Sequence, residues 1–240
     1  MNYAKKTSEL KSIARERLLG KYSTVIGATV SIMLIQMSIT EIVSQVIGYT
    51  DITFFIINEI TTVILNILYG VFVSGLVYMN MNIVYDQPVS YSDIFFGIKQ
   101  NPQKAVSIQS LLIIGDILVL LGAAIVTAAY SFYTITPAII LTGFVFIIAG
   151  LIIGILISLN FGLSFYILHD FPDKKPADIL KLSKKLMKGN RRNLFVLYFS
   201  FIPFYLFGII TLFVPLLWIV PYKNASVAAF YQNIISAKRR

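Results

Sequence analysis

The segment Lys185–Gly208, KLMKGNRRNLFVLYFSFIPFYLFG, changes character in its middle. Its first half is basic and closes near Gly189, whereas the part from Leu194 onward contains no charged residue. A basic segment joined directly to about 15 apolar residues is typical of a helix that enters a membrane from an anionic surface. The same join occurs before residues 22 and 104, so it indicates how most of the chain is organised.

The composition indicates an integral membrane protein. Of the 240 residues, 57% are hydrophobic and 13% are charged, and the mean hydropathy is +0.79. Soluble domains carry about 25% charged residues, so this chain lacks the polar surface that a water-soluble particle needs. The net charge of +9 would suit nucleic acid, but the basic residues adjoin apolar segments, and we expect anionic lipid instead. The absence of cysteine excludes disulfides and thiolate metal sites.

Six segments are long and apolar enough to cross a hydrocarbon core of about 30 Å as helices. No stretch alternates in polarity as β-barrel strands do, so the predicted fold is all-α, a polytopic helical bundle. The path of the last two segments around Pro203, Pro215 and Pro221 stays open, and Lys223 and Asn224 interrupt the sixth. The predicted spans are residues 22–48, 53–85, 104–130, 136–168, 193–211 and 213–236.

Apart from Lys223, lysine and arginine lie on one side of these spans, at both chain ends and in the two long loops. The loops on the other side, GYTDIT and YSFYTITP, contain neither residue. By the positive-inside rule we expect a protein of the cell membrane with both termini in the cytoplasm. The basic residues that we expect to face anionic phospholipids are Lys21, Lys104, Lys188, Arg191 and Arg192.

Each odd-numbered span follows a short amphipathic stretch. We predict a single membrane domain, residues 1–240, made of three diverged repeats, each a cytoplasmic interfacial helix followed by a helical hairpin. The repeats cover residues 7–85, 90–168 and 176–236. Ser90 and Asp93 have the spacing of a capping box, and Pro176 suits a first helical turn. The expected helix ends are Gly20, Gly97 and Gly189. The alternative is that the amphipathic stretches are ordinary solvated loop helices.

A string of residues in the third repeat occurs in the order and spacing of a known family. The chain resembles the multi-pass bacterial membrane proteins grouped as domain of unknown function 975, and its opening ARERLLGKY looks like their N-terminal signature. The resemblance implies a membrane fold but no activity, because none is established for that family. The residues that carry it are Ser183, Leu186-Met187, Gly189-Asn190, Phe195, Leu197, Ser200-Phe201-Ile202, Thr211, Trp218, Pro221-Tyr222 and Phe230-Tyr231.

Sequence motifs of catalysis are absent, since there is no GxxxxGK[ST], HExxH or GxSxG. The only histidine, His169, precedes Asp170. Such a pair can orient a catalytic base, but no nucleophile is marked. We therefore expect a protein that is not an enzyme and that carries no metal or cofactor.

Polar residues at membrane depth are the candidate functional residues, because ionisable groups there are costly and often functional. Asp116 and Lys223 lie at nearly the same depth when each residue advances about 1.5 Å, so an ion pair between them is one hypothesis. The alternative is that the helix breaks at Pro221 and lets Lys223 reach water. Asparagines in the even-numbered spans could line a transport cavity or bond between helices. The candidates are Glu59, Asn66, Asp116, Asn160 and Lys223.

These observations predict a transport, export or immunity-type factor that binds lipid, peptide or a membrane protein partner. The alternative from another class is a structural or regulatory scaffold whose basic cytoplasmic face recruits a partner or organises anionic lipid. A lipid-modifying enzyme that uses His169, Asp170 or Asp116 is the third hypothesis.

Overall fold

The computed structural model describes residues 5–133 and 135–239, with side chains up to residue 237, and within these ranges it contains helices and no strand. The helices are α1 (Thr7–Leu18), α2 (Tyr22–Ile47), α3 (Ile52–Leu68), α4 (Gly70–Val84), a 3₁₀ helix (Tyr91–Phe95), α5 (Phe96–Lys99), α6 (Pro102–Leu112), α7 (Ile114–Phe132), α8 (Pro137–Phe161), α9 (Ser164–Asp170), α10 (Pro176–Met187), α11 (Arg191–Phe199), α12 (Ile202–Ile210) and α13 (Leu216–Arg239).

Within the described residues, five helical segments are long and apolar enough to cross a membrane. They correspond to the first five predicted spans, which supports the all-α membrane fold. They are Tyr22–Ile47, Ile52–Val84, Ile114–Phe132, Pro137–Asp170 and Arg191–Ile210. The predicted sixth span falls in α13, where Pro221, Lys223 and Asn224 lower the apolar content, and it does not qualify. The arrangement of six spans in three hairpin repeats is therefore not confirmed.

The chain forms two compact units. Unit 1 combines the described residues up to 33 with Val71–Ala105 and the described residues from 159 onward. Unit 2 combines Leu34–Gly70 with Val106–Ser158. The single-domain organisation that the sequence suggests stays a prediction.

The centre of unit 1 is the middle of α13, where residues 225–231 are all buried. Helix α1 packs along α13 and buries Leu10, Ala14 and Leu18 completely. The backbone N–H of Lys5 donates a hydrogen bond of 2.8 Å to Asn233 Oδ1, so the start of α1 lies beside the end of α13. The apolar stripe of α1, which we assigned to a lipid surface, is therefore covered by protein.

Helix α10 has the same relation to α9, which it contacts closely. Its apolar residues Ile179, Leu186 and Met187 are buried, and burial of such side chains stabilises a fold by about 1.5–3 kcal/mol each. Ser183 lies on the same face and its hydroxyl donates a hydrogen bond to Asn160 O at 3.1 Å. Packing within unit 1 thus explains the amphipathic pattern of α10 without a membrane surface.

The residues predicted to begin or end helices do so with one exception. Pro176 opens α10, Ser90 and Asp93 form the capping box, and Gly20 and Gly189 have the positive φ of a helix end. Gly97 was wrongly predicted as a helix end, because it lies inside α5 and is buried. A Cβ there would lie 2.1 Å from a backbone carbonyl oxygen of α4, so this glycine allows two backbones to approach.

In unit 2, α7 and α8 pack through their glycines. A Cβ at Gly115 would lie 2.5 Å from Gly154 Cα, and one at Gly150 would lie 2.7 Å from Gly115 O. Two turns further along α7, a Cβ at Gly122 would lie 2.6 Å from Gly143 O. Small residues let membrane helices approach closely, and this contact fixes α7, which carries Asp116, against α8.

Candidate functional site

A cavity of about 300 Å³ lies in unit 2 between α3 and the region where α6 meets α7. Two of the predicted site residues, Asn66 and Asp116, line it together. The remaining lining residues make an apolar wall: Val63, Ile113, Ile117, Val119 and Leu120. The cavity therefore offers one carboxylate and one amide in otherwise apolar surroundings.

Asp116 is placed by a short break between α6 and α7. The break is at Ile113, whose φ of −87° and ψ of 4° depart from helical values, and Asp116 follows in the first turn of α7. Backbone hydrogen bonds continue across the break, from Ile113 N to Gln109 O and from Ile117 N to Ile113 O. The Asp116 side chain is exposed, and it has no hydrogen bond or ion pair with any residue that the structure describes.

Asn66 is held in place from two sides. Its Oδ1 accepts a hydrogen bond of 3.0 Å from Gln36 Nε2 on α2, and its Nδ2 donates one of 2.9 Å to Thr62 O. An amide nitrogen has two hydrogens, so the second remains available to a bound group. Gln36 was not predicted from the sequence. A glutamine in the middle of an apolar span is the signal that could have found it.

Asparagine also serves a structural purpose in these helices. Ser44 on α2 donates a hydrogen bond of 3.1 Å to Asn58 Oδ1 on α3, and Asn58 is fully buried. The bonds of Asn58 and Asn66 thus join α2 to α3, as the structural interpretation of the asparagines predicted. Asn66 takes part in such a bond and also lines the cavity of unit 2.

The other intramembrane candidates lie elsewhere. Glu59 is half-buried on α3 and is not part of the cavity lining. Asn160 belongs to unit 1, where its carbonyl accepts the hydrogen bond from Ser183. Lys223 is on α13 in unit 1, whereas Asp116 is in unit 2, and the ion pair between them stays a prediction.

The predicted lipid-facing cations fall into two groups. Lys21 lies 3.6 Å from Asp86, which also pairs with Arg17 at 2.5 Å, and Lys104 Nζ donates a hydrogen bond to Pro172 O. These side chains therefore bind the protein itself. The pairing with Arg17 holds the pKa of Asp86 below its ordinary value. The exposed group is Lys188, Arg191 and Arg192.

His169 and Asp170 turn to different partners in unit 1. His169 Nε2 lies 2.8 Å from Ser74 O, so this nitrogen donates a hydrogen bond to a backbone carbonyl. Its ring lies beside the stacked rings of Tyr78 and Phe96, with centroids 5.4 and 5.6 Å away. Asp170 Oδ2 accepts a hydrogen bond of 2.7 Å from the hydroxyl of Tyr231. Both side chains thus join helices together.

Comparison with known proteins gives a family. No curated protein and no solved structure shows significant similarity to the chain. The model of a family described as "Protein of unknown function (DUF975)" matches residues 1–238. The match agrees with the resemblance carried by the third repeat and by the N-terminal segment. This chain therefore belongs to the DUF975 family of proteins of unknown function.

Proposed function

We propose that this protein is a non-enzymatic membrane transport or export factor, and that it binds a cationic group in the cavity of unit 2. The observation that carries the proposal is Asp116, an exposed carboxylate within an apolar helix that could span a membrane. An ionised carboxylate at membrane depth costs several kcal/mol unless a cation, a proton or a dipole compensates it. A bound cation supplies this compensation.

The cavity lining defines the chemistry of the ligand. Asp116 would accept hydrogen bonds from an ammonium group of the ligand. The Asn66 amide would donate its second hydrogen to a carbonyl or hydroxyl oxygen next to that ammonium group. The apolar wall favours an uncharged, apolar substituent on the ligand. Amines with an apolar body fit this description, as do the amino termini of peptides and the headgroup of phosphatidylethanolamine.

Reconstituted liposomes test the proposal. We expect uptake of radiolabelled phenethylamine, or scrambling of a fluorescent phosphatidylethanolamine, above the rate in protein-free liposomes. Asp116→Asn keeps the shape of the side chain but removes its charge, so it should abolish the protein-dependent rate. Glu59→Gln is the matched control, because Glu59 is an acidic residue outside the cavity lining. Equal rates for Asp116→Asn and the unmodified protein would refute the proposal.

A second candidate function rests on the basic surface of unit 1. The face of α10 opposite its buried stripe carries the exposed cations Lys181, Lys184 and Lys185, and the exposed Lys188 directly follows the helix. We propose that this surface binds anionic phospholipid, with about 1 kcal/mol from each lysine near the membrane surface. Such a scaffold would organise lipid or recruit an acidic partner without transport.

The two functions differ in a measurement on the same preparation. The scaffold predicts that nanodisc-embedded protein enriches phosphatidylglycerol over phosphatidylcholine, and that the enrichment falls with added salt. Lys184→Gln with Lys185→Gln should reduce the enrichment, whereas Asp116→Asn should leave it unchanged. No preference for phosphatidylglycerol at low salt would exclude the scaffold.

A further inference from the structure

The turn between α12 and α13 is apolar and exposed. Residues 202–218, which we call the apolar corner, contain no charged side chain. At its tip, Ile210, Leu212 and Phe213 are 80%, 83% and 61% exposed. A loop in water carries polar residues, and a large exposed apolar patch indicates an interaction surface. The apolar corner is therefore unsuited to the aqueous surface at which a membrane-crossing hairpin would place it.

The backbone of the tip is closed by its own hydrogen bonds. Thr211 N donates to Phe207 O at 3.0 Å, and Phe213 N donates to Gly208 O at 2.8 Å. The hydroxyl of Thr211, the polar side chain nearest the tip, donates to Phe207 O at 2.7 Å. Each unsatisfied backbone group in hydrocarbon costs several kcal/mol. Leu212 and Phe213 also take the unusual positive φ values of 57° and 65°, which keep this turn tight.

Charged helix α1 marks the base of the apolar corner. Lys11 Nζ donates a hydrogen bond of 3.0 Å to Ser200 O and lies 4.1 Å from the centre of the Phe201 ring. Phe201 in turn contacts Tyr222, with ring centroids 5.2 Å apart. Lys11, the start of α12 and Tyr222 are therefore at one level. The exposed polar side chains of α1 within one turn of Lys11, such as Glu9 and Ser12, require water or headgroups at this level.

Both arms of the hairpin are too short to cross a membrane from that base. The ascending arm from Ser200 to Leu212 is about 18 Å long, and the descending arm from Phe213 to Tyr222 is about 14 Å long, at about 1.5 Å per residue. The hydrocarbon core is about 30 Å thick. The tip therefore reaches about half-way through the core.

We infer that the apolar corner is a re-entrant hairpin, which enters one leaflet from the side of the basic loops and returns to the same side. Its exposed side chains contact lipid acyl chains. The segment Arg191–Ile210 has the length and composition of a span, but it does not cross. This inference is independent of the proposed transport function.

Cysteine accessibility tests the inference, because the chain contains no cysteine. Leu212→Cys marks the tip, and Lys188→Cys and Thr50→Cys, both at exposed positions, mark the base and the loop between α2 and α3. Each variant is treated with a membrane-impermeant maleimide in sealed inside-out and right-side-out vesicles. We expect the two markers to react from opposite sides. Leu212→Cys should react from neither side and should react fully once detergent dissolves the membrane.

Every other result for Leu212→Cys overturns the inference. Reaction from the side of Thr50→Cys would show that the hairpin crosses the membrane. Reaction from the side of Lys188→Cys would show that the tip lies in water at the base. A tip that is still protected in detergent would be covered by protein, for example by a second copy of this chain.

The depth of the tip gives an independent measurement. Trp218 is the only tryptophan, so Trp218→Phe combined with Leu212→Trp places a single fluorophore at the tip. Quenching should be strongest with lipids brominated near the ends of their acyl chains and weaker with bromine near the headgroup. The opposite order, or no quenching by any brominated lipid, would refute a tip at the midplane. Phe213→Trp in the same background repeats the measurement if the first variant fails to fold.

Discussion

Alanine in place of Gly115 tests the packing of α7 against α8. The added Cβ would lie 2.5 Å from Gly154 Cα and 2.6 Å from Gly154 N. Both are backbone atoms, which cannot rotate away as the end of a flexible side chain can. The two helices would have to separate, or α7 would have to turn about its axis. Either change would also move Asp116, which is the next residue.

The size of the effect follows from the geometry. Carbon atoms in contact lie about 3.5–4.0 Å apart, so the helices would move apart by about 1 Å at this point. Overpacking of this kind costs about 1–3 kcal/mol. Alanine is better than glycine in a helix by about 1 kcal/mol, which offsets part of the cost. We therefore expect Gly115→Ala to lower the free energy of unfolding by up to about 2 kcal/mol.

Gly154→Ala is the matched control on the opposite helix. A Cβ at Gly154 would lie 3.8 Å from Gly115 Cα, which is an ordinary contact. The substitution therefore keeps the gain in helix preference without overpacking. It should leave the free energy of unfolding unchanged or raise it by up to about 1 kcal/mol.

Thermal unfolding in one detergent, followed by far-ultraviolet circular dichroism, gives the comparison. The midpoint should fall for Gly115→Ala and should stay or rise for Gly154→Ala. Equal midpoints for the two variants would show that α7 and α8 do not meet at these glycines. A lower midpoint for Gly154→Ala alone would show that the close contact is at Gly154 and not at Gly115.

Three further predictions concern unit 1. Tyr231→Phe removes the hydroxyl that bonds Asp170 and should lower the free energy of unfolding by about 1.5–3 kcal/mol, the contribution of a hydrogen bond to a charged group, measured by denaturant titration in detergent. Gly97→Ala, whose Cβ would clash with a backbone carbonyl of α4, should lower the unfolding midpoint by more than Gly154→Ala, whose Cβ makes an ordinary contact, and equal midpoints would contradict the close approach. Because Arg17 depresses the pKa of Asp86 in the folded state, the pair stabilises the fold above the ordinary carboxylate pKa of about 3.9, and the stabilisation disappears as the pH falls through the lower, folded-state pKa. We therefore compare the unfolding midpoints of the unmodified protein and Asp86→Asn. The difference should be small, because the pair is exposed. It should be constant from pH 8 to 5 and should disappear in strong acid.

Local sequence rules predicted most of the helical architecture. Ser90 and Asp93 cap a helix because their side chains reach its first backbone N–H groups, and Pro176 opens α10 because a first turn needs no N–H there. Long apolar runs likewise identified five segments able to span a membrane. The prediction for Gly97 was wrong because a single sequence does not distinguish a glycine at a helix end from a glycine at a close backbone contact.

The partners of each apolar face could not be predicted. The periodicity of α1 places Leu10, Ala14 and Leu18 on one side of the helix, but it contains no information on whether lipid or protein covers them. The answer lies in α13, more than 200 residues away, whose small and aromatic residues supply the opposing surface. Contacts between distant segments are set by the whole fold and leave little trace in either segment alone.

The candidate site was predicted in part, for a related reason. Counting residues along a helix gives depth, but it does not give the direction in which a side chain points. Asn66 and Asp116 meet at one cavity, whereas Asn160, placed with them by the same reasoning, lies in unit 1. The direction of the Asp116 side chain depends on the break at Ile113. That position has no proline or glycine from which the break could be predicted.

The meeting of α1 with α13 bears on the number of membrane crossings. The hydrogen bond from Lys5 to Asn233 places both ends of the described chain side by side, and a chain whose ends meet on one side crosses a bilayer an even number of times. If the first four segments that could span a membrane all cross it, the number of crossings cannot be five. Either α13 then adds a sixth crossing, or Arg191–Ile210 does not cross. A sixth crossing would carry Lys223 and Asn224 through hydrocarbon on an arm with about nine apolar residues, fewer than the roughly 20 that a crossing needs. The re-entrant hairpin avoids this cost, since it places Lys223 beside the base of α12, at the level of the charged helix α1.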